Sequence, residues 1–135
     1  MTPMAHPQMF DDDDPVLARV RALALGLPDA AEKVSHGRPA FFTTKVFAYY
    51  GGAQKLDGDW VEHPHCVLVL PDAGEREALL GEERAFGPAY LGPSGWVGVD
   101  LREDTDWDEV AELLDASYRL TAGVRRTAAL DGRGR

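Results

Sequence analysis

Two histidines and the only cysteine of the chain stand together in the segment His63-Pro64-His65-Cys66. Imidazole and thiolate groups are ligands that zinc prefers in proteins. In an extended strand, however, His63 and His65 would point to one face and Cys66 to the other. Because no second pair of histidines or cysteines exists elsewhere to complete a tetrahedral site, we predict no metal here.

Four consecutive aspartates, at residues 11–14, offer carboxylate oxygens that could bind a hard cation. The same run also has the form of a helix start, with Asp14 as the N-cap and Pro15 as the first helical residue. The other carboxylates would then lie near the positive end of the helix dipole. Metal binding at this acidic helix start is therefore kept as the third functional alternative.

The sequence contains no recognisable catalytic constellation. The segment at residues 92–96 resembles a nucleophile elbow, but Trp96 stands where the G-x-S-x-G pattern requires glycine. Cys66 lies in an apolar run, where a thiol is usually unreactive, and His36 alone does not identify a general base. Glycine-rich nucleotide-binding loops are also absent from the sequence. We therefore predict that the protein is not an enzyme and has no catalytic residue and no cofactor.

The segment at residues 35–50 combines aromatic rings with basic side chains and contains no acid. Residues 33–56 carry a net charge of +4, whereas the whole chain has a net charge of −9. One interpretation is an exposed β-ribbon in which Arg38 and Lys45 contact DNA phosphates, with His36 beside them. The other is that most of the rings pack inside a sheet. The overall negative charge argues against strong binding to nucleic acid.

Length and composition predict a single globular domain with a packed core. The chain has 135 residues, of which 44% are hydrophobic. Its first ten residues lack the features of a secretory signal, and no apolar run is long enough to span a membrane. With a single cysteine, the chain is expected to be cytoplasmic. We predict a disordered tail at residues 1–10, one domain at 11–123 and a flexible basic tail at 124–135.

Hydrophobic periodicity and turn residues predict three helices and four strands. The helices are expected to begin at Asp14 or Pro15, at Asp72 and at Trp107, and to end at Gly26, Gly81 and Ala122. The strands are expected at residues 38–43, 45–50, 65–71 and 96–101, with a loop at 51–59. Because strands joined by a tight turn are antiparallel, this order predicts an α+β fold. In this fold, the N- and C-terminal helices cover one face of a mainly antiparallel sheet.

Three segments of the chain together resemble a known family. Residues 27–52 resemble its opening, 76–101 its middle with a G-W-V strand, and 106–122 its closing helix. The residues that carry the resemblance are Leu27, Pro28, Glu32, Gly37, Pro39, Phe41, Lys45, Phe47, Ala48, Gly95, Trp96 and Val97. On this basis the chain resembles the MmcQ/YjbR-like family over roughly residues 14–122.

The resemblance implies an α+β fold similar to the bacterial frataxin-like (CyaY-like) arrangement, in a small single-domain bacterial protein. Members of this family are usually described as predicted DNA-binding proteins of poorly defined function. No catalytic residues are established for the family, so none are transferred to this chain. The leading hypothesis is a non-enzymatic protein that binds DNA through the basic β-ribbon at 35–50.

The alternative hypothesis is a module that binds a small ligand or a protein partner. It would use the glycine- and proline-rich loop at 87–96 beside His36 and Arg38. The candidate binding residues of both hypotheses are His36, Arg38, Lys45, Tyr90 and Trp96. A concave apolar pocket with convergent polar groups would favour this alternative over the ribbon.

Overall fold

The computed structural model of the protein describes residues 8–133, so residues 1–7 of the predicted disordered tail at 1–10 lie outside this range. Within that tail, the N–H of Met9 donates to the carbonyl of Gly37 at 2.8 Å and Phe10 packs against the core, contrary to the prediction. The described residues form the helices α1 (Pro15–Leu25), α2 (Ala73–Leu80), α3 (Trp107–Ala122) and α4 (Val124–Arg133). The strands are β1 (Ala31–Ser35), β2 (Arg38–Phe42), β3 (Val46–Leu56), β4 (Asp59–Val69), β5 (Ala85–Phe86) and β6 (Val97–Asp100). All neighbouring strands are antiparallel, and their order across the sheet is β1-β2-β3-β4-β6-β5.

Helix α1 begins where the sequence predicted. The carboxylate of Asp14 accepts a hydrogen bond from the backbone N–H of Val16 at 2.9 Å, and Pro15 occupies the first turn. The buried stripe of the helix consists of Leu17, Val20 and Ala24, at helical spacing.

Helices α1 and α3 build the main hydrophobic core against one face of the sheet. Leu17 and Val20 from α1, Leu114 and Tyr118 from α3, and Phe47 from β3 are all buried in it. The rings of Phe47 and Tyr118 meet edge to face, with centroids 5.4 Å apart. The predicted α+β fold, with terminal helices over one face of an antiparallel sheet, is confirmed.

Strands β3 and β4 form a hairpin that is longer than the sequence indicated. Asp57 and Gly58 form its turn, with φ angles of 51° and 86°, as a type I′ turn requires. The predicted loop at residues 51–59 is therefore wrong except at Asp57-Gly58, where the sequence also predicts a turn. Gly51 and Gly52, which the sequence places in the loop, lie inside β3 instead.

A β-bulge explains why these glycines and a proline are tolerated inside the hairpin. Between Tyr50 and Gly52 the register shifts, so that residues 64–66 of β4 lie opposite Gly51 alone. Pro64 falls within this bulge, where the N–H that proline lacks is not needed for the ladder. The bulge bends the outer half of the hairpin relative to the rest of the sheet.

Three elements were missed: β5, which is only two residues long, and β1 and α4, whose sequences lack an apolar pattern. Strand β1 lies at the edge of the sheet, and its single strongly apolar residue, Val34, is exposed. Helix α4 occupies the place of the predicted flexible tail. Its Leu130 packs against the core, and its Arg126 pairs with Asp29 at 3.1 Å. None of the helices formed by residues 8–133 is long and apolar enough to cross a membrane.

Candidate functional site

A pocket of about 480 Å³ lies on the face of the sheet opposite α1 and α3. Its floor includes Tyr49 and Leu68, which alternate along β3 and β4 with the core residues Tyr50, Val67 and Val69. The other lining residues are Ser35, His36, Arg38, Gly51, Gly52, Ala53, Trp60, Pro88, Ala89, Tyr90 and Leu91. This volume and this largely apolar lining are typical of sites for small molecules.

Backbone hydrogen bonds hold the segment at residues 88–91 against the β3–β4 hairpin. The N–H of Ala89 donates to the carbonyl of Ala53 at 2.8 Å, which ties the segment to β3. The N–H of Gly92 donates to the carbonyl of Pro88, also at 2.8 Å. The pocket is therefore enclosed by segments that are distant in sequence.

Arg38 supplies the one permanently charged side chain among the described residues that line the pocket. Its side chain is only 13% exposed, and its Nη2 donates to a carboxylate oxygen of Glu62 at 2.7 Å. The guanidinium lies against the backbone of Gly51. A β-carbon at that position would lie 2.6 Å from Nη1, and its φ of +80° also favours glycine.

Two exposed aromatic rings stand at the mouth of the pocket. Tyr90 is 84% exposed and Trp60 is 50% exposed, and their centroids are 5.9 Å apart at a tilt of 40°. Tyr90 has a φ of +67°, in the left-handed region that large side chains rarely adopt. The fold thus keeps the large Tyr90 ring exposed to solvent, although its backbone conformation is unfavourable.

The structure brings together three of the five residues predicted as binding candidates. His36, Arg38 and Tyr90 all line the pocket. Trp96 does not line the pocket, but its ring meets that of the floor residue Tyr49, with centroids 5.4 Å apart. Lys45 lies in the β2–β3 turn, at the end of β2 that is remote from Arg38, and is exposed.

Sequence reasoning missed Trp60 and Glu62. Both follow the Asp57-Gly58 turn, which was a recognisable hairpin signal in the sequence. Pairing the residues on either side of that turn places Ala53 opposite Glu62. The signal was outweighed by Gly51 and Gly52, which suggested a loop.

The basic side chains of residues 33–56 do not form a continuous charged surface. Lys33 lies over the ring of Phe42 at 4.7 Å, and Lys55 lies over the ring of Trp60 at 5.3 Å. Arg38 is held inside the pocket by its pairing with Glu62. Phe41, Phe47 and Tyr50, three of the five rings between residues 35 and 50, are buried in the main core.

A second polar cluster links the start of α1 to the sheet. The hydroxyl of Tyr50 donates to the Asp14 carboxylate at 2.5 Å, and Nδ1 of His65 lies 2.9 Å from that hydroxyl. Burial alone would raise the pKa of Asp14. The hydrogen bonds from Tyr50 and Val16, together with the adjacent His65, outweigh burial and hold this pKa below its usual value.

The cluster predicts a pH-dependent contribution to stability. We expect Tyr50→Phe to lower the free energy of unfolding by about 2 kcal/mol at pH 7, because a hydrogen bond to a charged group is lost. Since the folded-state pKa of Asp14 is depressed, this contribution is present above the unfolded-state pKa, about 3.9. It is lost as the pH falls through the lower folded-state value. Urea unfolding of both proteins between pH 7 and pH 3 measures it.

Tyr118→Phe is the matched control for this measurement. The hydroxyl of Tyr118 donates to the backbone carbonyl of Pro28 at 2.7 Å, and a carbonyl does not titrate. The loss caused by Tyr118→Phe should therefore stay constant over the same pH range. A loss at Tyr50 that is equally constant would contradict the assignment.

The residues of the histidine and cysteine segment have structural roles in the sheet. Nδ1 of His63 lies 2.8 Å from the Asp100 carboxylate, and Nε2 lies 2.8 Å from Oε1 of Gln54. Its ring also stacks on Phe86, with centroids 3.7 Å apart. Cys66 is fully buried, and burial raises the pKa of its thiol well above the usual range.

Metal binding at the acidic helix start gains no support. Among residues 8–133, no group of three histidine, cysteine, aspartate or glutamate side chains could hold a metal ion. Asp12 instead pairs with Arg21 at 2.9 Å, and Asp14 is engaged by Tyr50 and by the first turn of α1.

A single antiparallel sheet, with helices on one face and an apolar pocket on the other, defines this chain as a small α+β domain. The chain belongs to the YjbR family, whose family model matches residues 25–120. The predicted family resemblance is thus confirmed. No curated protein matches the sequence.

A solved structure shows the same fold in another protein. The crystal structure of Deinococcus radiodurans protein DR2400, a DUF419 domain, superposes with a TM-score of 0.59 at 20% sequence identity. The similarity covers 96% of this chain and 91% of DR2400. At this identity the match shows a shared fold and not a shared activity.

Proposed function

We propose that this protein binds a small, largely apolar molecule in the pocket and catalyses no reaction on it. The observation that carries the proposal is the pocket itself, about 480 Å³ in volume and lined mainly by apolar and aromatic side chains. Arg38 is a single convergent polar group at its edge, which is the composition expected of a ligand site. A reducing cytoplasmic setting is part of the proposal, since a single cysteine can form no disulfide within the chain.

The conformation of Tyr90 supports this proposal. A residue held in a sparsely populated backbone region costs of order 1–3 kcal/mol and tends to occur at functional sites. Its ring is 84% exposed, so packing within the protein offsets little of this cost. A bound molecule that covers the ring would supply the missing contact.

DNA binding through the ribbon has less support. Phosphate contacts need exposed Lys or Arg side chains grouped on one surface. Here Arg38 lies in the pocket, Lys33 and Lys55 lie on aromatic rings, and Lys45 is alone in its turn. The DNA-binding hypothesis stays a prediction.

Fluorescence titration with N-phenyl-1-naphthylamine, an uncharged probe of apolar sites, tests the proposal. We expect saturable binding that Tyr90→Gly weakens about tenfold, equivalent to ~1.4 kcal/mol, because one aromatic wall is lost. The same variant should unfold at an equal or higher urea concentration, since glycine adopts a positive φ without strain. Weaker binding together with unchanged or higher stability would show that Tyr90 contributes to the ligand site and not to the stability of the fold.

Two tryptophan substitutions locate the bound probe. Ala89→Trp fills the pocket and should abolish binding, whereas Ala22→Trp, at an exposed position of α1, should leave it unchanged. Probe binding that is absent, or equal in both variants, would contradict the proposal. Anisotropy titration with duplex DNA at two salt concentrations tests the rival hypothesis. Salt-dependent binding that Arg38→Glu abolishes would favour the ribbon instead.

A further inference from the structure

The pairing of Arg38 with Glu62 indicates what kind of ligand the pocket takes, if the proposed function holds. The Arg38 side chain is 13% exposed, whereas that of Glu62 is 56% exposed. Their hydrogen bond uses one of the five N–H donors of the guanidinium. At the edge of the pocket, the largely buried Arg38 is thus paired with Glu62, a carboxylate that is about half exposed.

When Glu62 leaves Arg38, its own exposed carboxylate is solvated by water, so the cost of separation falls mainly on the buried Arg38. An ion pair with one well-exposed partner contributes little to stability, because water replaces the contact. Arg38 is less free to move, since its guanidinium lies against Gly51 and its side chain is only 13% exposed. Removing Glu62 without a replacement would, however, leave a buried charge unpaired. The site therefore favours an exchange of one carboxylate for another.

The charges around the pocket limit the ligand to a single negative charge. The described residues that line the pocket contain one arginine and no lysine, and the chain has a net charge of −9. A multiply charged phosphate would find a single permanent cation in the lining, with the Glu62 carboxylate beside it. A carboxylate matches the fork geometry of arginine and needs only one such partner.

We propose that the ligand is an aromatic carboxylate, whose carboxylate group displaces Glu62 from Arg38 while its ring system covers the apolar floor. Tyr49 and Leu68 provide that floor, and Tyr90 and Trp60 close over the ring at the mouth. Glu62 is then an internal competitor that occupies Arg38 in the unliganded protein. The ligand carboxylate and Glu62 then compete for Arg38, because two carboxylates beside one guanidinium repel each other.

Competition with N-phenyl-1-naphthylamine by a matched pair of compounds tests this inference. The pair is 2-naphthoate and the uncharged 2-naphthamide, which share one ring system. We expect naphthoate to bind the wild-type protein about tenfold more tightly than naphthamide. Arg38→Met should remove this preference and leave naphthamide binding unchanged. Arg102→Met, at an exposed arginine that does not line the pocket, should keep the preference.

Glu62→Gln provides the opposite change, because the glutamine amide oxygen can still accept a hydrogen bond from Arg38 but carries no charge. Because the internal competitor is weakened, naphthoate should bind several-fold more tightly to this variant, with no change for naphthamide. Glu77→Gln, at an exposed position of α2, should alter neither compound. Equal affinities of the two compounds for the wild-type protein, or a Glu62→Gln protein that binds naphthoate no better, would overturn the inference.

The outcomes separate this inference from the proposed function on which it rests. If the uncharged probe does not bind in the pocket, the proposed function fails, and the inference fails with it. If the probe binds and is displaced equally by naphthoate and naphthamide, only the inference fails.

Discussion

Replacing Gly98 by alanine is expected to lower the free energy of unfolding by about 3 kcal/mol, at the upper end of overpacking costs. The ring of Phe86 lies directly over Gly98 in the neighbouring strand. A β-carbon on Gly98 would lie 2.2 to 2.6 Å from three carbons of that ring. The ring cannot retreat freely, because His63 stacks on its other side at 3.7 Å and is itself held by Asp100 and Gln54. Urea unfolding at constant m-value measures the loss.

Gly87 offers a matched control for this substitution. It directly follows Phe86, and a β-carbon there would meet no atom within 4 Å. Gly87→Ala should therefore change stability by less than about 0.5 kcal/mol. The double variant Phe86→Leu/Gly98→Ala should cost less than the sum of its single changes, since the clash is removed. Strict additivity, or a stable Gly98→Ala protein, would refute the packing argument.

Ser117→Ala is expected to cost about 2 kcal/mol, because it leaves two backbone groups without their partner in the core. The Ser117 hydroxyl is fully buried in α3. It donates to the carbonyl of Phe47 in β3 at 2.5 Å and accepts from the N–H of Leu70 at 2.9 Å. One side chain thus joins the helix to two segments of the sheet.

The exposed Ser94 supplies the comparison for Ser117. Ser94→Ala should shift the urea midpoint by no more than a surface substitution does, about 0.5 kcal/mol or less. If Ser117→Ala had an equally small effect, the two hydrogen bonds would not stabilise the fold as argued. Refilling by water would be the remaining explanation, and a high-resolution structure of the variant would show it.

The parts of the fold that follow from local chemistry could be predicted from the sequence. Asp14 and Pro15 specify the start of α1, and the stripe on α3 specifies its buried face. The interior of the β3–β4 hairpin could not be predicted in the same way. Taken alone, Gly51 and Gly52 predict the end of a strand. Glycine fits these strand positions because a β-carbon would lie too close to the side chains of Arg38 and Leu68.

The candidate site was predicted in part for the same reason. His36, Arg38 and Tyr90 were singled out by residue type in two segments, and the fold brings these segments together. The positions of Trp60 and Glu62 depend on the register of the hairpin. This register depends on a bulge that no local sequence pattern predicts. Residue types could therefore suggest the site, but pairing geometry completes it.

The bulge opposite Gly51 also divides the pocket into parts of unequal rigidity. Below it, Tyr49 and Leu68 belong to strands paired on both sides. Above it, among the described residues, the hairpin at 52–63 pairs with no third strand. Such a two-stranded arm opens locally at a lower free energy than a central sheet. For the ligand proposed above, we therefore expect the entrance to open at a lower free energy than the floor, so that the rate of entry and the strength of binding would depend on different parts of one hairpin.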